Sequence, residues 1–325
     1  MLPRRVPGRA IGPMIANTAI CLMGPTATGK TDVAISLCKR FPFDVISVDS
    51  ALVYRGMDIG TAKPDAETLR RTPHRLIDIR NPEQRYSAGD FVRDAHDAIK
   101  AILAAGRIPL LVGGTMMYFR SLTEGIANLP AADPKIRAGI DDDADKHGWP
   151  ALHARLAEVD AAAAARISPN DRQRIQRALE VFLSSGIPMT EWQREGRTRA
   201  AGEDVRFIKI ALQTTVRPVL NERIEERLNR MLEIGFLDEV RSLMQRPGLT
   251  PDKPSMRAVG YRQFWAHLAG DCSHDEARQR TLIATRQLAK RQRTWLRAES
   301  ALSSYDALES GTIEAISAYL DEKMG

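Results

Sequence analysis

The stretch Gly24-Pro25-Thr26-Ala27-Thr28-Gly29-Lys30-Thr31 fits the phosphate-loop pattern G-x-x-x-x-G-K-[ST] without a gap. Such a loop works only between a buried strand and a helix. Its glycines let successive backbone N–H groups turn toward one anion, and the following helix aims its positive end at the same point. Lys30 adds a mobile point charge, and the Thr31 hydroxyl can ligate a divalent metal. The flanks agree: Ala19 to Met23 is a short apolar run that reads as a strand, and Val33, Ile35, Leu37 and Cys38 are the apolar part of the next helix. Eight residues alone also permit a plain strand-to-helix turn with no ligand.

Two further β-branched runs follow. Phe43 to Val48 ends in Asp49-Ser50, and Ile108 to Val112 ends in Gly113-Gly114-Thr115. In an open parallel sheet ligands sit at the carboxyl ends of strands, so Asp49 and Thr115 arrive beside the phosphate loop. Both positions also suit helix N-caps, a reading compatible with function at Asp49. Most phosphate-loop NTPases carry a magnesium-holding Asp at the end of such a strand, and Gly-Gly-Thr replaces it here, leaving Asp49 as the nearby acid. Residues 54–90 are rich in Gly, Pro and charge and read as a long functional loop. A helix is expected around Phe91–Ala105.

From Leu129-Pro130 onward Ala-rich helical patterns take over. The expected architecture is therefore an α/β phosphate-loop NTPase-like parallel sheet flanked by helices. Residues 19–128 and 206–325 form its core, and 129–205 an all-helical insertion. In the insertion a helix capped near Ser168 to Asp171 buries Ile175, Ala178, Leu179 and Phe182 and turns Arg172, Arg174 and Arg177 elsewhere. Residues 196–204 read as an exposed connection. Arg206 to Leu212 suits a returning strand, and helices are expected over 217–245 and 275–298. The first of these lines up Arg223, Arg227 and Arg230.

The 325 residues are 43% hydrophobic and 27% charged, enough for a sizeable core. Cys21, Cys38 and Cys272 cannot all pair and lack metal-ligand spacing, which points to a reducing, cytoplasmic setting. No apolar run approaches the roughly 20 residues of a membrane span, so a soluble chain without a membrane partner is expected. Residues 1–18 hold three arginines and no acid and read as a disordered extension, with a targeting peptide or an over-extended start as alternatives.

The net charge of +6 is unevenly placed. From Thr281 to Arg297 there are five basic residues and no acid, and Arg286, Lys290, Arg293 and Arg297 fall on one helical stripe. Unopposed charge of this kind favours a polyanionic partner over a plain solvated face. Trp295, between the charges, is expected to pack against the core. With Arg172, Arg174 and Arg177 in the insertion, the pattern points to nucleic acid.

The chain resembles the tRNA dimethylallyltransferases, also called tRNA isopentenyltransferases, over most of residues 20–298. The resemblance rests on the phosphate loop, Asp49 to Pro64, Pro73-His74-Arg75-Leu76-Ile77-Asp78, Gly113 to Tyr118, Gln173 to Val181, Ala258-Val259-Gly260-Tyr261-Arg262-Gln263 and Lys290 to Arg297. It implies transfer of a dimethylallyl group from dimethylallyl diphosphate to N6 of adenine 37, beside the tRNA anticodon. It also implies Mg2+ and an insertion that grips the anticodon stem-loop; a monomer is expected. The implied tRNA contacts are Asp49, Ser50, Ala51, Leu52, Thr115, Arg137, Gln173, Arg174, Ile175, Gln176 and Arg177. Further along they are Arg257, Gly260, Tyr261, Arg262, Lys290, Arg291, Gln292, Arg293, Thr294, Trp295, Leu296 and Arg297. On this reading Gly24 to Thr31 cradle the diphosphate, Asp49 is the general base, and Thr115 bonds the diphosphate or the adenine. Arg223 or Arg227 neutralises the leaving group, and the sequence leaves open which. Rival readings are a small-molecule or nucleotide kinase on the same fold and a non-catalytic RNA-binding protein with a nucleotide switch.

Overall fold

A computed structural model describes residues 17–127, 129–194, 197–198 and 205–324. In chain order the first elements are β1 (Thr18–Met23), α1 (Lys30–Arg40), β2 (Phe43–Val48), α2 (Ala66–Arg71), β3 (His74–Arg75), α3 (Ala88–Ala104), β4 (Ile108–Gly113) and α4 (Met116–Glu124). Next come β5 (Ile126–Ala127), α5 (Pro134–His147), α6 (Trp149–Val159), α7 (Ala161–Ala164), α8 (Arg172–Ser185), α9 (Met189–Arg194) and β6 (Arg197–Thr198). The chain closes with β7 (Arg206–Gln213), α10 (Arg217–Glu233), α11 (Phe236–Met244), α12 (Tyr261–Leu268), α13 (His274–Arg297), β8 (Leu302–Asp306) and α14 (Thr312–Met324).

Six strands form one sheet in the order β3-β2-β4-β1-β7-β8, every neighbouring pair parallel. Its central strands are apolar on both faces because helices cover both, and β1 is buried along its whole length. The chain winds from β1 out to β2 and β3, returns to β4 between β2 and β1, then crosses to β7 and β8 on the far side. The carboxyl ends of β1, β2 and β4 therefore open onto one crevice. On one side of the sheet, Ile20, Leu22, Leu37, Phe43, Val45 and Leu110 pack with Ile210, Ile316 and Leu320 in a single core.

The described chain divides into two compact units, Glu124–Ala200 and the chain on either side of it. The smaller unit is built from α5 to α9 around Ile140, Leu152, Leu156, Ile167, Ile175 and Leu179. It is not purely helical. The pair β5 and β6 closes it, with Ile126 opposite Thr198 and Ala127 opposite Arg197. Pro134 begins α5 behind an Asp133 N-cap, and Asp171 caps α8 by accepting the Arg174 N–H.

Several expectations change. The loop expected over 54–90 contains α2 and the edge strand β3. The helix expected over 217–245 is two helices, broken where Gly235 adopts φ +102°. The tail beyond 298, outside the stretch that carries the resemblance, supplies β8 and α14. Thr18, assigned to the extension, begins β1, while residues 1–16 and most of 196–204 lie outside the described residues. No helix among the described residues is long and apolar enough to cross a membrane.

Candidate active site at the carboxyl edge of the sheet

The phosphate loop leaves β1 at Gly24, where backbone crowding excludes a side chain: a Cβ would stand 2.3 Å from the Leu212 carbonyl oxygen of β7. Ala27 (φ +64°) and Gly29 (φ +77°) take the left-handed conformation that turns the intervening peptides inward. Lys30, the first residue of α1, folds its ammonium back to donate to the Pro25 carbonyl at 2.6 Å. Burial, and next the Arg227 guanidinium, lower its pKa to about 7, while Asp49 acts in the opposite sense. Burial likewise lowers Arg227, again against the pull of Asp49.

Both candidate arginines of α10 reach this place. Arg223 Nη2 would lie 3.8 Å from a Cβ built on Gly29, so its guanidinium stands over the loop. Arg227 donates to the Thr61 carbonyl at 3.3 Å and acts electrostatically on Lys30. Leu220, Ile224 and Leu228 are buried along α10, and Arg223 and Arg227 flank that buried stripe, half-buried beside it. The third of the row, Arg230, is exposed.

Asp49 follows β2 directly. Its Oδ1 accepts the N–H groups of Ala51 (2.8 Å) and Leu52 (3.3 Å), and Oδ2 has no hydrogen-bond partner among the described residues. Thr115 Oγ1 accepts the Ser50 N–H at 3.1 Å, joining the ends of β2 and β4. At Gly113 the two strands come so close that a Cβ would fall 2.0 Å from the Val48 carbonyl oxygen. No side chain, a carboxylate included, fits at Gly113.

A clamp that the sequence did not reveal covers residues 57–63. The Glu239 carboxylate of α11 accepts three successive N–H groups, from Asp58 (2.8 Å), Ile59 (2.7 Å) and Gly60 (3.1 Å), and the Tyr261 hydroxyl at 2.6 Å. Buried Lys63 Nζ ties Asp58, Asp78 and the Tyr54 carbonyl together. The clamp presents the Thr61 carbonyl to Arg227. Glu239 sits at an ordinary amphipathic-helix position, so nothing local marks it.

The candidate RNA contacts separate by exposure. Ser50, Gln173, Arg174, Arg257, Arg262, Lys290, Arg291, Thr294 and Arg297 are exposed, and Ala51, Leu52, Gln176 and Arg293 half-buried. Ile175, Gly260, Tyr261, Gln292 and Leu296 are buried, because each falls on the core-facing side of its turn or helix. Arg137 and Arg177 both bond the fully buried Glu180, Arg137 in bidentate fashion at 2.8 and 3.0 Å and Arg177 at 2.8 Å. Burial raises the Glu180 pKa, but these bonds and the Asp133 N–H outweigh it and leave the group below its usual value. Arg286 is not unopposed, since Glu225 of α10 lies 3.6 Å away. Trp295 is 38% exposed rather than core-packed, with the Arg120 guanidinium 5.6 Å from its ring centroid.

The pattern that defines the IPP transferase family matches residues 52–299. The chain belongs to that family. It is 54% identical over 283 residues to the tRNA dimethylallyltransferase of Burkholderia cenocepacia, covering 87% of each chain, and 56% identical over 285 residues to that of Chromobacterium violaceum, with the same coverage. The crystal structure of the tRNA isopentenylpyrophosphate transferase of Bacillus halodurans superposes with a TM-score of 0.68 at 35% identity, covering 95% of this chain and 97% of that one. A eukaryotic dimethylallyltransferase solved acting on tRNA gives 0.76 at 25% identity, over 94% of this chain and 78% of that one. The family match begins after Gly24 to Thr31, so the phosphate loop is an independent observation.

Proposed function

We propose that the chain transfers the dimethylallyl group of dimethylallyl diphosphate to N6 of adenine 37 in the anticodon stem-loop of tRNA, acting as a monomer in the cytoplasm. The observation that carries this reading is the cationic cradle of Gly24 to Thr31, Lys30, Arg223 and Arg227 beside one carboxylate, Asp49, with no room for a side chain at Gly113. A diphosphate leaving group needs charge neutralisation and no activated water.

The adenine amine attacks carbon 1 of the allyl group as the carbon–oxygen bond to diphosphate breaks. The N6 proton passes to Asp49, whose Oδ2 has no hydrogen-bond partner among the described residues while Oδ1 fixes the carboxylate orientation through Ala51 and Leu52. General-base help of this kind contributes about 10²- to 10⁴-fold. Thr115 holds the β2 and β4 ends in register and offers its hydroxyl to the diphosphate or the adenine.

The Thr31 hydroxyl, which follows Lys30 at the start of α1, is the metal donor that the phosphate-loop pattern supplies. A hydroxyl donor beside the oxygens of a bound diphosphate suits Mg2+, which keeps several waters and takes phosphate oxygens readily. Bound there, the ion would neutralise charge on the departing diphosphate.

The deciding experiment incubates the protein and Mg2+ with unmodified tRNA and either labelled dimethylallyl diphosphate or γ-labelled ATP. Label from the allyl donor is expected on an adenine beside the anticodon, and lost about 10²- to 10⁴-fold in Asp49→Asn with tRNA binding retained. Transfer of the ATP label instead would replace this reading by a kinase.

A further inference from the structure

Gln292 lies in the basic stretch of α13 between Arg291 and Arg293, yet it is only 8% exposed. Its amide is oriented by two different peptide groups. Oε1 accepts the Thr26 N–H of the phosphate loop at 3.0 Å, and Nε2 donates to the Gly114 carbonyl beyond β4 at 2.8 Å. One side chain therefore joins three segments that are distant in sequence.

The chemistry demands this residue type. A carboxylate has no donor for Gly114, an aliphatic side chain has neither group, and a shorter amide cannot span both partners. The receiving surface is shaped to match. A Cβ on Gly114 would stand 2.5 Å from Gln292 Nε2 and 3.2 Å from the Gly24 carbonyl oxygen, so the glycine keeps the space through which the amide reaches. Ala289 and Leu296 are buried on the same side of α13 and fix its height above the loop, while Lys290, Arg291 and Arg297 face outward.

We propose that Gln292 is a positioning residue: it holds the head of the diphosphate loop against the Gly113-Gly114-Thr115 turn and so ties the basic helix α13 to the leaving-group site. The proposal rests on the transfer reading above. It makes a buried polar residue of a basic, RNA-like stretch act on the other substrate.

The test uses the full chain with Gln292→Met, which keeps the side-chain length and removes both hydrogen bonds, and with Gly114→Ala, which pushes the amide away while leaving Gln292 in place. Dimethylallyl diphosphate affinity in Mg2+ is measured by calorimetry, anticodon stem-loop affinity by fluorescence anisotropy, and kcat and KM for both substrates by turnover. Each variant is expected to weaken dimethylallyl diphosphate binding about tenfold and lower kcat, with RNA affinity within about twofold of the unaltered protein. Because both changes remove one bridge, the double variant is expected to lose little more than either single one. Unchanged diphosphate affinity with weakened RNA binding would overturn the proposal and make Gln292 an RNA contact. Should Gln292→Met fail to fold, the Gly114→Ala affinities decide alone. A parent protein that binds no dimethylallyl diphosphate refutes the transfer reading, a different result from a parent that binds it and a Gln292→Met variant that binds it equally well.

Discussion

Lys30 shows how much a single group's surroundings alter its chemistry. Burial and the neighbouring Arg227 lower it to about 7, so near neutral pH the free protein holds it close to half-charged. A bound diphosphate favours the ammonium and moves the pKa up again. Binding at about pH 8.5 is therefore expected to take up a proton, seen as a buffer-dependent calorimetric enthalpy and absent in Lys30→Met. The same shift sets the sign of a stability effect. Between about 7 and the unperturbed 10.5 the unfolded chain holds a proton that the folded chain lacks, so this lysine makes folding more favourable as pH rises through that window. The motif places Lys30 in the loop; its lowered pKa depends on α10, nearly 200 residues later, and no spacing rule reaches that far. For the same reason the sequence left open which arginine serves the site, and the fold brings both Arg223 and Arg227 to it.

At the scale of elements, α11 acts through the chain it holds rather than through a ligand. Glu239 takes three consecutive N–H groups and the Tyr261 hydroxyl, an internal carboxylate in a site of the kind that elsewhere binds anions. Gly60 is required beneath it, since a Cβ would meet the Phe236 ring at 2.1 Å. Glu239→Ala leaves those donors without their acceptor and is expected to lower unfolding free energy by about 3 kcal/mol, whereas Tyr261→Phe, which removes one bond, should lower it by about 1 kcal/mol. Urea denaturation of the two variants measures the difference, and equal losses would argue against the clamp. The α13 stripe was legible as basic and helical because period and charge are local properties. Its partner Glu225 lies on another helix, and the groups that Gln292 bonds lie in the phosphate loop and just beyond β4, so neither left a mark in the stretch itself.

For the whole molecule, the chain beyond the family match is part of the core. Ile316, Leu320 and Met324 of α14 pack with Ile20, Leu37 and Leu110, and β8 adds the sixth strand along β7. Three apolar side chains of this size contribute about 6 kcal/mol, comparable to the entire stability of a typical domain. A chain ending at Glu299 is thus expected to lose cooperative thermal unfolding, and a sharp transition in that truncation would show the last segment to be dispensable. By itself the sequence determined the parallel α/β core, the phosphate loop at the end of β1 and the basic helix. All of these follow from local pattern: apolar runs, glycine spacing, and helical periodicity of charge. Tertiary structure alone decided that no side chain fits at Gly113, that Arg137 and Arg177 converge on Glu180, and that Gln292 points into the phosphate loop. Each of these is an approach between backbones or a pairing of buried polar groups, set by which strands and helices pack together and not by the residues beside them in the chain.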